Sequence, residues 1–395
     1  MDDLEMIIAD IASQLGLSEV VLVAAVFLII ILLVILIIVF MGYFTPLLTI
    51  ASCAAPNARV RAIGNPMVRC DILREIAESG SLRDAAEKSR QYFPWIDPAR
   101  ESAEALERQL WDRYVQEMQD LPSTVPDGIK PFFRACSLLH ETRMLIGALR
   151  MKAGGRPPDE IRERVEPLVE ITPRLVDAMA EAADVEQLVL ELAHTPYGPV
   201  LADGLIEFTE EGVVEPFERR LHRFAFDRLA ASRLSVGSFH TAEVSAYVDC
   251  VSSVHNLRTV LRGIADGREK EDIRAALLPP SPSLPEPLLG RMVESSGVLI
   301  IADLVRDTPF GPVLDESLQE YAESGSLVSC EHALDEYVLE IAFNLDVVYS
   351  HSAGPLIRYL VAREYETRNL RGLFWGVVAQ CPDRLSGAVC REDAT

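Results

Sequence analysis

The chain has 395 residues, of which 60 are acidic and 37 basic, giving a formal net charge of -23 at pH 7. Such a surface repels phosphate backbones, which argues against nucleic acid as a partner and suits basic protein partners. A general compositional bias would explain the acidic excess equally well. The seven cysteines are scattered without a C-x-x-C pair, a pattern typical of free thiols in a reducing compartment rather than of disulfides or a zinc site.

The first predicted element is a membrane-spanning helix over residues 20–41. This segment contains neither a charged residue nor a proline, and as a helix it would measure about 33 Å, enough to cross a hydrocarbon core about 30 Å thick. The acidic segment 1–19 has no Lys or Arg, whereas Arg59, Arg61 and Arg69 follow the helix. The positive-inside bias therefore predicts a single-pass protein of the cell membrane with its N-terminus outside and its bulk in the cytoplasm.

A cleaved signal peptide is the alternative interpretation of this segment. Ile50-Ala51-Ser52-Cys53 resembles a lipoprotein cleavage box. Against cleavage, the residues before the apolar run are acidic, the run is too long, and about eleven residues separate it from the cysteine. The helix also lacks the mid-membrane carboxylate that ion transport requires, so we predict that it only anchors the chain in lipid.

After a predicted linker, residues 42–56, the chain contains an internal repeat. Residues 195–201 (TPYGPVL) recur 113 residues later as TPFGPVL, and Asn-Leu-Arg at 256–258 recurs at 369–371 with the same offset. A fainter offset of 112 relates Leu149-Arg150 to Leu261-Arg262. The sequence therefore predicts three helical-repeat domains, over residues 57–168, 169–281 and 282–395.

Each predicted domain has the pattern of helices. Apolar residues recur at helical spacing, and Val/Ile-rich alternating strands are absent. The clearest stripes lie in residues 213–232, 241–263, 334–344 and 356–373. The predicted fold class is all-α, with antiparallel helix pairs in three tandem domains after one N-terminal transmembrane helix.

Motifs that carry chemistry are missing. The sequence has no G-x-x-x-x-G-K-[ST] loop, no G-x-G-x-x-G turn, no H-E-x-x-H and no G-x-S-x-G. Its seven histidines do not cluster at helical ligand spacing. We therefore predict no catalytic residue, no cofactor and no metal site, and hence a protein that is not an enzyme.

The repeated Asn-Leu-Arg is the most prominent polar signature. Arg258 and Arg371 could bind carboxylates of a partner in bidentate fashion, which makes them candidate interface residues. Alternatively, the asparagine and arginine tie neighbouring helices together within each domain.

These motifs resemble the C subunit of archaeal/vacuolar-type (A/V-type) ATP synthases, the family that includes the d subunit of vacuolar ATPases. The resemblance covers most of the soluble part and depends on A-R-V-R-A near its start and on the two later helices that carry Asn-Leu-Arg. The first domain departs from the pattern, having Met144-Leu145-Ile146 in place of Asn-Leu-Arg. The signature residues are Ala58, Arg59, Val60, Arg61, Ala62, Asn256, Leu257, Arg258, Asn369, Leu370 and Arg371.

The resemblance implies a funnel of three helical domains that acts as a non-catalytic socket. It would join the central stalk, made of the D and F subunits, to the membrane ring of proteolipid subunits in a proton- or sodium-translocating ATP synthase. The family is usually soluble, so the membrane helix is a departure from it. The alternative from another class is a membrane-tethered helical-repeat adaptor unrelated to ATPases.

Overall fold

Helices make up the regular structure of this computed structural model, which describes residues 18–381 together with 12, 14, 16, 388 and 389. Among these residues no strand occurs, so the all-α prediction is confirmed. The first helices are α1 Glu19–Ile63, α2 Cys70–Ala77, α3 Leu82–Arg90, α4 Ala103–Thr124, α5 Lys130–Ala153 and α6 Pro158–Arg164. Next come α7 Pro173–Glu181, α8 Val185–Glu191, α9 Gly198–Glu211, α10 Glu215–Ser235, the 3-10 turn Ser238–His240 and α11 Thr241–Ala265. The last are α12 Lys270–Ala276, α13 Glu286–Val293, α14 Ile300–Val305, α15 Gly311–Ser324, α16 Val328–Val348 and α17 Gly354–Val378.

The chain divides into two compact units, Met1–Ser52 and Cys53–Thr395. In the first unit, Val20–Phe40 is long and apolar enough to cross a membrane, and aliphatic side chains along it are exposed. Helix α1 continues beyond the predicted span to Ile63, so the predicted linker is helical as well. Most of the predicted acidic segment 1–19 lies outside the described residues.

Six long helices dominate the second unit and recur at the spacing of the sequence repeat. Helices α10 and α16 each have 21 residues, and α11 and α17 each have 25. The shorter α9 and α15 both have 14 residues and end at glycines in the left-handed region, Gly212 with φ 73° and Gly325 with φ 70°. The domain ranges 57–168, 169–281 and 282–395 remain a prediction.

Apolar stripes give these helices their buried faces. The stripe predicted over residues 213–232 lies on α10, where Phe217, Leu221 and Leu229 are fully buried. The stripe over 241–263 lies on α11 and buries Val244 and Leu257. Periodicity therefore located the core, although each helix extends past the predicted stripe.

The six long helices close a ring by their packing. We call α4, α10 and α16 leading helices and α5, α11 and α17 trailing helices. Each leading helix packs against its own trailing helix, α5 packs against α10, α11 against α16, and α17 against α4. The last long helix thus meets the first, and we refer to this arrangement as the helix ring.

The connections from leading to trailing helices meet at one end of the helix ring, the turn end. There the Gly237 N–H donates to the Gly128 carbonyl over 2.8 Å. His240 Nδ1 lies 3.0 Å from Ser352 Oγ. The C-terminal part of α1 reaches the same end, where Asn57 Nδ2 donates to the Ser352 carbonyl over 2.9 Å.

The cysteines only partly follow their predicted state. Cys136, Cys250 and Cys330 are free and buried, Cys381 is free and exposed, and Cys53 is buried. Cys70 is disulfide-bonded, so the interpretation of seven free thiols is wrong at this residue. Cys390 lies outside the described residues.

Candidate functional site

A cavity of about 930 Å³ lies within the second unit. Its lining comes from residues 104–115 of α4, residues 140–151 of α5, residues 364–375 of α17, residues 156–166, and Arg258 of α11. Leading helices begin, and trailing helices end, away from the turn end. The cavity therefore lies at the opposite end of the helix ring.

Charged side chains dominate the lining. Acidic and basic residues occur there in equal number, whereas the whole chain has 60 acidic against 37 basic residues. The basic residues are Arg108, Arg143, Arg156, Arg164, Arg258, Arg368 and Arg371. The acidic residues are Glu104, Glu107, Asp112, Glu160, Glu163, Glu166 and Glu364. The cavity is thus locally neutral within an acidic protein and can form ion pairs with groups of either sign.

Glu107 of α4 is the most heavily bonded of these residues. Its Oε1 lies 2.8 Å from Arg164 Nη1 and 3.0 Å from Arg371 Nε, and Trp375 Nε1 donates to Oε2 over 2.7 Å. Burial opposes ionisation, but these donors outweigh it and hold the pKa of Glu107 below its ordinary value. Because Arg371 and Trp375 belong to α17, Glu107 fastens the last long helix to the first.

The other two contacts between successive helix pairs are formed at the equivalent positions of the repeat. Arg150 of α5 donates to both carboxylate oxygens of Glu218 on α10, each over 2.6 Å. Arg262 of α11 donates to Glu331 on α16. Arg150, Arg262 and Trp375 follow one another at offsets of 112 and 113. Each trailing helix therefore carries, at one repeated position, a donor to a glutamate of the next leading helix; we call these contacts joints.

The two candidate interface arginines both line the cavity. Arg258 Nη2 lies 2.6 Å from Asp335 Oδ1 on α16 and donates to the Glu331 carbonyl over 3.1 Å. Arg371 pairs with Glu107 on α4. These contacts join helices of successive helix pairs, whereas the alternative interpretation placed them within each domain. A contact of either arginine with a partner remains a proposal.

The signature asparagines hold backbone segments instead of facing the cavity. Asn256 accepts from the Leu278 N–H over 2.8 Å and donates to the Leu278 carbonyl over 3.3 Å. Asn369 does the same with Val389, over 3.0 and 2.7 Å. Met144, at the equivalent position of the first domain, accepts the Glu166 N–H at its sulfur over 3.5 Å. The methionine of the first domain thus makes one hydrogen bond to the backbone, where each asparagine makes two. The intervening signature residues Leu257 and Leu370 are buried in the core.

The signature near the start of the soluble part lies at the turn end. Val60 is buried, and Arg61 donates to the Ser350 carbonyl over 2.9 Å. Ala58, Arg59 and Ala62 are exposed.

Sequence reasoning missed Glu141, which is fully buried on α5. Its carboxylate accepts the N–H groups of Val169, Glu170 and Ile171 over 3.1, 3.0 and 2.7 Å, and the hydroxyl of Tyr197 over 2.6 Å. The repeat offsets place Ser253 and Glu366 at the same position, which was the available signal. Glu107 was missed as well, as was the ion pair between Arg143 on α5 and Glu364 on α17, because no short motif marks them.

Besides Glu107, the cavity residues His140 and Glu166 have shifted pKa values. Burial, followed by the nearby Arg143 charge, lowers the pKa of His140 to about 4, so this imidazole is neutral at pH 7. Burial and the neighbouring Asp112 raise the pKa of Glu166 to about 7. Among the described residues, no group of His, Cys, Asp and Glu side chains could hold a metal ion. The arrangement is suited to binding a charged protein segment.

Comparison with known proteins agrees with this architecture. Residues 56–386 match the family model described as ATP synthase (C/AC39) subunit. The C subunit of the A-type ATP synthase of Methanothermobacter thermautotrophicus is 29% identical over 329 residues, covering 82% of this chain and 84% of that protein. Its counterpart from Methanocaldococcus jannaschii is 25% identical, covering 84% of each chain. That of Pyrococcus abyssi is 26% identical, covering 80% of this chain and 84% of its own.

These matches extend over the helix ring and leave the alternative of an adaptor unrelated to ATPases without support. The chain belongs to the ATP synthase (C/AC39) subunit family.

Proposed function

We propose that this ATP synthase subunit is the non-catalytic socket between the central stalk and the membrane ring of an A/V-type enzyme that translocates protons or sodium ions. The placement of two features at opposite ends of the helix ring carries the proposal. Helix α1, which begins with the apolar segment, reaches the turn end through Asn57 and Arg61. The charged cavity lies at the other end.

The turn end is the side proposed to meet the membrane ring of proteolipid subunits. Leu234 and Val347, near the ends of α10 and α16, are 91% and 77% exposed and lie 113 residues apart. Exposed aliphatic side chains at matching positions are suited to a protein contact. The apolar segment would anchor the chain in the lipid bilayer, with its N-terminus outside and the helix ring in the cytoplasm.

The cavity is the side proposed to receive the lower end of the stalk, the D and F subunits. Its equal numbers of acidic and basic residues offer ion pairs to a charged helix tip. A part that transmits torque needs rigid packing, and the three joints fasten each helix pair to the next. No nucleophile or metal is required for such a role.

Affinity purification through a C-terminal tag tests the proposal. The tagged chain should bring down the ring subunits together with the D and F subunits of the stalk. Arg108→Glu with Arg156→Glu reverses charge in the cavity at exposed positions, where ion pairs add little to folding. We expect this variant to lose D and F but to keep the ring.

Arg306→Glu is the matched control, because Arg306 forms an exposed ion pair with Asp303 and does not line the cavity. It should retain both the ring and the stalk. Equal recovery of D and F with the cavity variant and with the control would contradict the assignment of the cavity to the stalk.

A further inference from the structure

The apolar segment Val20–Phe40 has so far been given only an anchoring role. We infer that it occupies the central opening of the membrane ring, enclosed by the innermost faces of the ring helices. This inference rests on the proposed function, since it requires the chain to turn with the ring.

The route of the chain through the second unit points to the centre of the turn end. The Val68 N–H donates to Glu366 Oε2, about halfway along α17. Asn57 instead bonds to Ser352, before α17 begins. Followed from Val68 back to Asn57, the chain runs towards the turn end. The connections of the three helix pairs meet there, and α1 joins them through Ser352.

The reach of the intervening chain favours a position close to that centre. Sixteen residues, 41–56, separate Phe40 from Asn57, and as a helix they extend about 24 Å. A position outside the membrane ring would lie beyond the ring's own helices, each about 10 Å wide. The same length of about 24 Å would then have to cover this lateral distance in addition to the distance from the membrane to Asn57.

Rotation excludes the outer position for a second reason. A helix that turns with the ring but lies outside it would have to pass any stationary part that flanks the ring during each revolution, and close packing leaves no gap for it to pass. Within the central opening the helix turns with the ring and meets no stationary part.

The chemistry of the segment fits such a place. Residues 20–40 include no charged side chain, and Leu32 and Ile35 are 56% and 51% exposed. A helix that is apolar on all sides needs only apolar surroundings, because its backbone groups are already paired. Ring helices, or lipid enclosed by them, provide those surroundings.

Disulfide crosslinking in the assembled complex tests the inference. The background is the full chain with Cys381→Ser, since Cys381 is the exposed free thiol among the described residues. Leu32→Cys or Ile35→Cys is combined with single cysteines on inner-facing or outer-facing helices of the ring subunit, and the complex is purified through this chain. Two alternative positions are used so that the test does not depend on one substitution.

We expect crosslinks to inner-facing positions and none to outer-facing ones. Leu190→Cys is the control, because Leu190 is 66% exposed but lies on α8 of the second unit; it should crosslink to neither set. Crosslinks to outer-facing positions alone, or none in a complex that contains the ring, overturn the inference. If the ring does not purify with the unmodified chain, the proposed function itself fails, and the inference fails with it.

Discussion

The joint that closes the helix ring differs from the two joints along the chain. At the consecutive joints, Arg150–Glu218 and Arg262–Glu331, the glutamate side chains are 18% and 32% exposed, and each glutamate pairs with one arginine of the neighbouring helix. At the closing joint, the Glu107 side chain is 9% exposed and receives three donors. Equivalent positions thus carry different energetic weight, because burial and the number of donors decide what an ion pair contributes.

Chain connectivity offers a reason for this difference. Residues 154–214 and 266–327 connect consecutive helix pairs, whereas residues 125–353 lie between α4 and α17. Because the entropic cost of loop closure rises slowly with the length of the intervening chain, the closing joint forms at a somewhat larger cost than the consecutive joints. The closing joint has to compensate through its own contacts.

The largest effect that this comparison predicts is at Glu107. Glu107→Ala leaves Arg164, Arg371 and the Trp375 indole N–H without their acceptor, and we expect a loss of about 2–4 kcal/mol in the free energy of unfolding. Urea denaturation of the full chain in detergent measures it. Glu218→Ala leaves only Arg150 without its acceptor, and because the Arg150 side chain is 61% exposed and can bind water instead, the loss should be smaller. Equal losses for the two variants would contradict the difference between the joints.

The pH dependence of this loss has a definite sign. The folded state holds the pKa of Glu107 below its ordinary value of 4.5. Its stabilising contribution is therefore complete above about pH 4.5 and disappears as the pH falls through the folded-state pKa. The difference between the parent chain and Glu107→Ala should shrink in acid, whereas a constant difference would point to packing rather than charge.

The next largest effect is expected at Asn256 and Asn369, and it should be equal at the two positions, unlike the effects at the joints. Asn256→Ala and Asn369→Ala each remove both hydrogen bonds to one buried backbone residue. We expect about 1–3 kcal/mol for each and near-additivity in the double variant, since the two sites share no partner. Equal losses for the two variants would show that the repeated domains differ in their joints but not in their asparagine contacts. A much smaller loss for Asn369→Ala would extend that difference to the chain end at Val389.

Sequence reasoning located the repeated elements but not the contacts between them. The offset of 113 and the apolar periodicity predicted the all-α fold class, the long helices and their buried faces, because apolar residues at helical spacing mark the face that packs into the core. The joints were not predicted, since Trp375 occupies the repeat position that Arg150 and Arg262 occupy in the other two domains. A tryptophan and an arginine have only a long side chain with an N–H donor in common, so the sequence does not show the equivalence. Likewise, the contact of Glu141 with residues 169–171 forms only when the chain folds, and no short sequence motif connects these positions. The cavity depends on such long-range contacts and could not be predicted.

A smaller effect is expected where α17 holds the start of the soluble part. Glu366 is fully buried, and burial raises its pKa from 4.5 to about 8. The folded chain therefore keeps a proton that the unfolded chain releases, and stability falls as the pH rises from about 4.5 to about 8. Glu366→Gln cannot titrate and still offers an oxygen to the Val68 N–H.

We expect Glu366→Gln to stabilise the chain by about 1 kcal/mol above pH 8 and to have little effect near pH 4.5. The gain is small because the new amide N–H₂ takes the place of an oxygen without a hydrogen-bond partner, Glu366 Oε1, and has no acceptor itself. Thermal unfolding at pH 5 and pH 8.5 measures it. A loss at both pH values would show that the carboxylate is needed in its charged form.

The smallest effect is predicted at the consecutive joints. Glu331→Gln weakens the exposed pair with Arg262 but leaves the Glu331 carbonyl, to which Arg258 donates, in place. Exposed ion pairs contribute about 0–1 kcal/mol and are screened by salt, so the variant should unfold within about 1 kcal/mol of the parent chain. Trp375→Phe, which removes the indole N–H that donates to Glu107 together with part of the ring, is the corresponding change at the closing joint. It should cost more, because the Glu107 carboxylate loses a donor at a buried site, and raising the salt concentration should reduce the cost of Glu331→Gln but not that of Trp375→Phe. Equal costs with equal salt sensitivity would mean that all three joints are alike and that chain connectivity does not explain their chemistry.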